Sequence, residues 1–302
     1  MDASKQTLVV AGLNVDVYSH PSATDPSVPV HALFFFHGRG GFAQDRDIVT
    51  TVKAIFDVTY GSNASRKKDL IIISFDHRNH GTRLVDMKRN LGWGEDPTTK
   101  NDQHAYVYAL VTSVDMYTIQ TGSAQDVSFL IDHLPSFLYP SGQRTIVEWG
   151  MGGVSLGGHA TWIALSREPR LKVGIPIIGC PDYTKLISRR AELCGVPFKP
   201  PYYPNSLKAY VDANDPAKRP YRANDSANPF LGRKILVLSG AKDTLVPWVA
   251  SVEFVQNLEV GEEGIKRFLL EESAGHECTP RMQREAGLFV NEWLNDWSNA
   301  KL

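Results

Sequence analysis

From about residue 30 onward, short unbroken apolar runs alternate with stretches of helical spacing, and this rhythm restricts the fold more than any other feature. Leu33–Phe36 (LFFF), Leu70–Ser74 (LIIIS), Ile146–Val154, Val173–Ile178 (VGIPII), Ile235–Leu238 (ILVL) and Arg267–Leu270 (RFLL) read as strands. Most are apolar at consecutive positions, so both faces need cover, as in parallel strands buried between helices. Residues 43–60, 104–119, 124–138, 156–167, 247–258 and 280–297 supply the helices by spacing or composition. Pro135 predicts a local break and Pro247 a helix start. An α/β fold follows: an open, mostly parallel sheet with helices on both faces. Ahead of it, TLVVAGLNVDVYSH alternates around an Ala-Gly-Leu-Asn turn and reads as an antiparallel hairpin at the sheet edge.

The chain has 302 residues, a length that α/β folds reach undivided, and residues 1–302 are expected to form one domain. Two stretches break the rhythm. Residues 181–232 are crowded with proline and tyrosine and are too long for a plain connection, which predicts a small cap or lid. Residues 82–103, with Gly92-Trp93-Gly94-Glu95-Asp96-Pro97, form a second irregular insertion. A net charge of −1 gives no electrostatic reason to expect nucleic acid or an anionic membrane as partner, so a small-molecule substrate is expected. MDASKQTLVV lacks a signal peptide's basic and apolar regions, and no apolar run approaches bilayer length. Three scattered cysteines, Cys180, Cys194 and Cys278, fit a reducing compartment. A cytoplasmic protein is expected, in which the sequons at Asn63-Ala64-Ser65 and Asn224-Asp225-Ser226 have no role, and Lys301-Leu302 resembles no address signal.

The densest glycine run, Gly150–His159 (GMGGVSLGGH), could cradle a phosphate or present a serine. The phosphate readings fail on detail. Gly152-x4-Gly157 is followed by Gly158-His159 and not by the Lys-Ser/Thr of a P-loop. Gly150-x-Gly152-x-x-Ser155 is not a dinucleotide fingerprint, and no acidic residue stands near the end of the next strand until Asp182. Gly153-Val154-Ser155-Leu156-Gly157, in contrast, is G-x-S-x-G between a strand and a helix, the context of a nucleophile elbow.

A serine needs a base to take its proton, and the base needs an orienting carboxylate. Asp243 follows the strand Ile235–Leu238, and His276 follows the last strand and is the sole histidine after His159. Upstream, Phe36 runs into His37-Gly38-Arg39-Gly40-Gly41, where glycine lets backbone N–H groups approach a substrate. The expected oxyanion donors are the N–H of Leu156 and that of Arg39, with Gly40 as its alternative. Four features thus fall at four strand ends in the order such a triad requires.

On HGRGG, DHRNHG, GVSLGGH, GAKDTLVP and AGHE, the chain resembles the α/β-hydrolase superfamily over nearly its whole length. The likeness is to intracellular esterases, the dienelactone-hydrolase-like or prolyl-oligopeptidase-like branch, and uncharacterised fungal-type members. The resemblance implies a central eight-stranded sheet and an acyl-enzyme mechanism without cofactor. It implies no particular ester. Dimers are common in this superfamily, so a homodimer is an open expectation.

Rival roles exist at several of these positions. Asp76, His77 and His80 cluster like metal ligands, but the segment follows a strand and resembles a structural turn, so no metal is expected; His80 can still line the site. His37 is expected to brace the oxyanion loop, His159 to be packed, and Asp182 is the rival acid to Asp243. The substrate-contacting candidates are His80, Trp93, Tyr183, Tyr202 and Tyr203. The expected activity is cleavage of a small, hydrophobic carboxylic ester. Thioester or peptide cleavage, lyase chemistry, and ligand binding on a retired scaffold are the alternatives, peptide cleavage being less expected without a propeller-sized N-terminal domain.

Overall fold

The computed structural model describes residues 3–61, 67–93 and 103–297. The sequon at 63–65, residues 94–102 of the second insertion, and Lys301-Leu302 lie outside the described residues. Eight strands form one sheet in the order β1-β2-β4-β3-β5-β6-β7-β8. The strands are β1 Ser4–Val10, β2 Leu13–Ser19, β3 Val30–Phe36, β4 Asp69–Phe75, β5 Ile146–Val154, β6 Leu171–Ile177, β7 Lys234–Gly240 and β8 Ile265–Glu271. β1 and β2 pair antiparallel, as do β2 and β4; every other pairing is parallel. The expected edge hairpin is present, closed by Ala11-Gly12 between the paired Val10 and Leu13. Both turn residues have positive φ, 49° and 85°, the backbone twist that a two-residue hairpin favours.

The seven α-helices are α1 Arg46–Tyr60, α2 Gln103–Leu138, α3 Leu156–Arg167, α4 Tyr183–Leu193, α5 Asn205–Asn214, α6 Val252–Asn257 and α7 Pro280–Leu294. Strand β3 shows why continuous apolar runs were needed. Its Phe34 and Phe36 pack into the core shared with α2 and α3, and its Leu33 and Phe35 into the opposite core with α1 and α7. Successive side chains point to opposite faces, and here both faces are covered. Residues 181–232 lie between β6 and β7 and contain α4, α5 and a 3-10 turn at Pro216–Lys218.

Three helix expectations are corrected. The two helices expected at 104–119 and 124–138 are one 36-residue helix that carries Pro135 inside it. Burial of Tyr117, Val127, Leu130 and Leu134 along one continuous face outweighs the weak propensity of Gly122 and the donor missing at Pro135. Pro135 lies in the last turn, where its own carbonyl still accepts from Tyr139 N–H at 2.8 Å. The helix expected over 247–258 is a 3-10 turn at Trp248–Ala250 followed by the six-residue α6. The last helix stops at Leu294, because Asp296 and Trp297 take positive φ of 56° and 57°. Among the described residues, no helix is long and apolar enough to cross a membrane.

The sheet order reverses between β3 and β5, since β4 lies to one side of that pair and β6–β8 to the other. Open α/β sheets bind ligands at such a switch point, beyond the strands' carboxyl ends. The start of α3 is drawn against the end of β6 by Gly158. A Cβ there would lie 2.7 Å from Ile177 O and 3.0 Å from Gly179 Cα. Gly158→Ala is expected to destabilise the fold by about 2 kcal/mol, as overpacking typically does, measured from the urea midpoint at unchanged slope.

Candidate active site

At the end of β5 the chain turns into α3 through Ser155, whose φ of 55° and ψ of −106° lie outside the ordinary range of an L-residue. Such strain persists only where surroundings enforce it. Here they do: a Cβ on Gly153 would lie 2.8 Å from Gly157 C, and one on Gly157 would lie 2.6 Å from Phe36 O. The crossing of β3 and the elbow therefore admits no side chain at either glycine, and the serine between them is raised at the helix N-terminus.

Ser155 Oγ lies 2.8 Å from His276 Nε2, and His276 Nδ1 lies 2.8 Å from Asp243 Oδ2. The structure thus brings the three expected residues together from loops after β5, β7 and β8. The latter two loops are fastened to each other: Lys242 N–H donates to Ala274 O at 2.9 Å. Asp243 is 1% exposed against 24% for His276. Burial pushes the Asp243 carboxyl up, but the His276 hydrogen bond and the N–H groups of Val246 and Leu245, at 2.8 and 2.9 Å, outweigh it. The net effect holds Asp243 below the ordinary carboxylate value, ionised and facing Nδ1. Asp182, the rival acid, instead caps α4 by accepting from Lys185 N–H at 2.9 Å.

The loop after β3 is anchored by histidines. His37 O accepts from Gly157 N–H at 3.1 Å, which ties this loop to the elbow. The same carbonyl lies 3.1 Å from His77 Nε2, and His77 Nδ1 lies 2.6 Å from Ser123 Oγ on α2. A carbonyl can only accept, so His77 carries its proton on Nε2 and Nδ1 accepts from the serine hydroxyl. His37 Nε2 in turn accepts from His77 N–H at 3.2 Å, so its proton sits on Nδ1 and goes to Gly38 O at 2.7 Å. Gly41 N–H is consumed within the turn by Gly38 O at 3.1 Å. The Arg39 side chain reaches across to Asn90 O at 2.9 Å, and Gly40 has a positive φ of 79°. Leu156 occupies the first position of α3, where N–H groups have no intrahelical acceptor.

Asp76 takes the structural role expected of its turn. Its carboxylate accepts from Ala43 N–H, Thr82 N–H and Thr82 Oγ, each at 2.7 Å. Among the described residues, no three His, Cys, Asp or Glu side chains are arranged to hold a metal ion. His159 is packed, as expected, with Nδ1 accepting from Cys180 N–H at 2.8 Å. The Cys180 and Cys278 thiols are buried and pushed up to about 12 by burial, which makes them poor nucleophiles.

Two of the five substrate-contacting candidates border cavities beside the oxyanion loop. Trp93 lines one of about 130 Å³ with Arg39 and Leu245, and His80 lines one of about 380 Å³ with Arg39 and Gly40. Tyr183, Tyr202 and Tyr203 line neither. Tyr183 is buried with its hydroxyl donating to Ser113 O, Tyr203 is stacked on Phe198, and Tyr202 packs against the core. Sequence reasoning missed the apolar walls of the smaller cavity, Met116 on α2 and Ile187 on α4, because both have the spacing of ordinary core residues.

Residues 121–301, more than half of the chain, match the prolyl oligopeptidase family. A candidate esterase of Bacillus subtilis (strain 168), YitV, is 24% identical over 155 residues. That match covers 49% of this chain and 56% of the relative, so the chain spans little more than half the length of this curated relative. Among solved structures, TT1662 from Thermus thermophilus superposes with a TM-score of 0.64 at 20% identity, covering 97% of this chain and 99% of that one. Acetyl xylan esterase 1 from Thermoanaerobacterium sp. JW/SL YS485 superposes with a TM-score of 0.57 at 15% identity, covering 96% and 83%. At these identities the structural likeness is one of fold.

The buried histidines make stability depend on pH in a calculable direction. Burial pushes His37 down to about 4 and His77 well below its ordinary value of 6.5. The unfolded chain then binds more protons than the folded one between pH 6.5 and about 4. Stability is fully present above pH 6.5 and falls as pH drops through that window, by up to about 1.4 kcal/mol per pH unit for each such histidine. Urea midpoints at pH 7.5 and 5 check this, and equal midpoints contradict the neutral assignments.

Proposed function

Because the chain belongs to the prolyl oligopeptidase family, within the α/β-hydrolase superfamily of serine hydrolases, we propose that it is a carboxylic-ester hydrolase acting through Ser155, His276 and Asp243. The observation that carries this reading is the unbroken hydrogen-bonded series Ser155 Oγ–His276 Nε2 and His276 Nδ1–Asp243 Oδ2, both at 2.8 Å. The first is the contact a proton must cross when a serine attacks a carbonyl, and the second orients the imidazole that receives it.

Ser155 Oγ attacks the acyl carbonyl as His276 Nε2 takes its proton, and Asp243 fixes the imidazole tautomer and stabilises the imidazolium. The oxyanion is held by the backbone N–H of Leu156 and that of Arg39 or Gly40. His276 then gives its proton to the departing alcohol, leaving the acyl group on Ser155. Water, deprotonated by His276, attacks the acyl-enzyme, and the acid leaves. The residues 181–232 act as a cap over the substrate.

Ser155→Ala is expected to abolish p-nitrophenyl ester hydrolysis and labelling by a fluorophosphonate while leaving the thermal unfolding transition in place. Undiminished turnover by that variant overturns the assignment. Asp243→Asn is expected to lower kcat by about 10³–10⁴-fold with KM little changed, since it leaves the imidazole in the wrong tautomer. The family's description favours one second reading, peptide cleavage by the same three residues. Comparing kcat/KM for a p-nitrophenyl ester with that for an aminoacyl p-nitroanilide decides between them.

A further inference from the structure

The 130 Å³ cavity is bounded on one side by Arg39, which follows β3, and on the other by Thr244 and Leu245, which follow Asp243 after β7. Sheet order places β5 and β6 between those strands. The cavity therefore touches the two loops that flank the carboxyl end of β5, and Ser155 itself is not one of its lining residues. Gly38, next to Arg39, lies close enough that a Cβ on it would be 3.6 Å from Ser155 Cβ. The walls are largely apolar: Trp93, Met116, Ile187 and Leu245, with α2 and α4 contributing from opposite sides. Trp93, Met116 and Ile187 are buried at 8%, 5% and 1% exposure, so the walls are held by the core and have little room to retreat.

Neither Ser155 nor His276 lines this cavity, but its wall residue Arg39 adjoins Gly38, which stands against Ser155. The departing alcohol must receive its proton from His276 Nε2, so it belongs on the His276 side, toward the partly exposed loop after β8. The half of the substrate that stays on Ser155 is left to occupy the walled cavity. The volume then sets a ceiling. A cavity of about 150 Å³ lined by apolar side chains accommodates benzene, with its six carbons. At 130 Å³ this one is slightly smaller.

Resting on the carboxylic-ester reading above, we propose that this cavity is the acyl-binding pocket and that it restricts the enzyme to esters of short acids, of about two to six carbons. Trp93, Met116, Ile187 and Leu245 are the residues that set the limit.

The test is the kcat/KM of the purified chain on p-nitrophenyl acetate, butyrate, hexanoate and octanoate, with Ser155→Ala as blank. Butyrate is expected to exceed octanoate by at least about tenfold, since a single misfitting methylene in an apolar pocket is worth about that much. Leu245→Ala, which removes a half-buried wall residue, should raise the octanoate-to-butyrate ratio by about tenfold; Met116→Ala is the second enlargement, and each variant is read only after its unfolding transition is recorded. Ser155-dependent rates that are level or rise toward octanoate overturn the pocket proposal and leave the ester reading standing. A short-acyl preference that neither folded variant shifts overturns the assignment to this cavity. No turnover of any ester, together with no fluorophosphonate labelling, overturns the ester reading and the pocket with it.

Discussion

The arrangement depends on one backbone-to-backbone approach, that of the elbow glycines to the end of β3. Gly157 stands where a methyl group would come within 2.6 Å of Phe36 O, and its N–H is hydrogen-bonded to His37 O. That contact sets the height of Ser155 and the position of the loop carrying Arg39 and Gly40 at the same time. Ser155 and that loop are therefore parts of one rigid joint. The His77–Ser123 and His77–His37 hydrogen bonds extend the joint to α2, so a long helix on one face of the sheet holds it from behind.

Histidine serves two opposed purposes within this small volume. His276 is partly exposed and sits between a hydroxyl and a buried carboxylate. His37 and His77 are shut away from water, and each uses one nitrogen as an acceptor that protonation would abolish. Burial and the direction of local hydrogen bonds distinguish them, because the side chains are chemically identical.

How much of this was legible in the sequence follows from where information sits in such a fold. Ser155 and Asp243 could be singled out because each follows a buried strand, and buried strands advertise themselves as unbroken apolar runs; His276 follows the half-exposed edge strand β8 and was found as the sole histidine after His159. The mostly parallel sheet was readable from those runs and the edge hairpin from its alternation, whereas the number of strands came from the family resemblance. The continuity of α2 was not, since the local signals at Gly122 and Pro135 point to breaks and only the packed face outweighs them. Tyr183, Tyr202 and Tyr203 are packed side chains that line neither of the two cavities beside the loop after β3, and composition alone does not separate an aromatic that fills a core from one that lines a cavity. Met116 and Ile187 were missed for the converse reason: no sequence signal separates a core wall facing a void from one facing another side chain.

The segment between β6 and β7 leaves the sheet at a strand end from which none of Ser155, Asp243 or His276 is drawn. Asp243 and His276 hang on the pair of loops joined by Lys242 and Ala274, and Ser155 on the joint with β3; α4 touches the first of these through Arg190, which donates to Leu245 O at 3.0 Å. Lengthening or replacing that segment would alter the surface beside Arg190 and Leu245 while the strands that carry Ser155, Asp243 and His276 kept their order in the sheet.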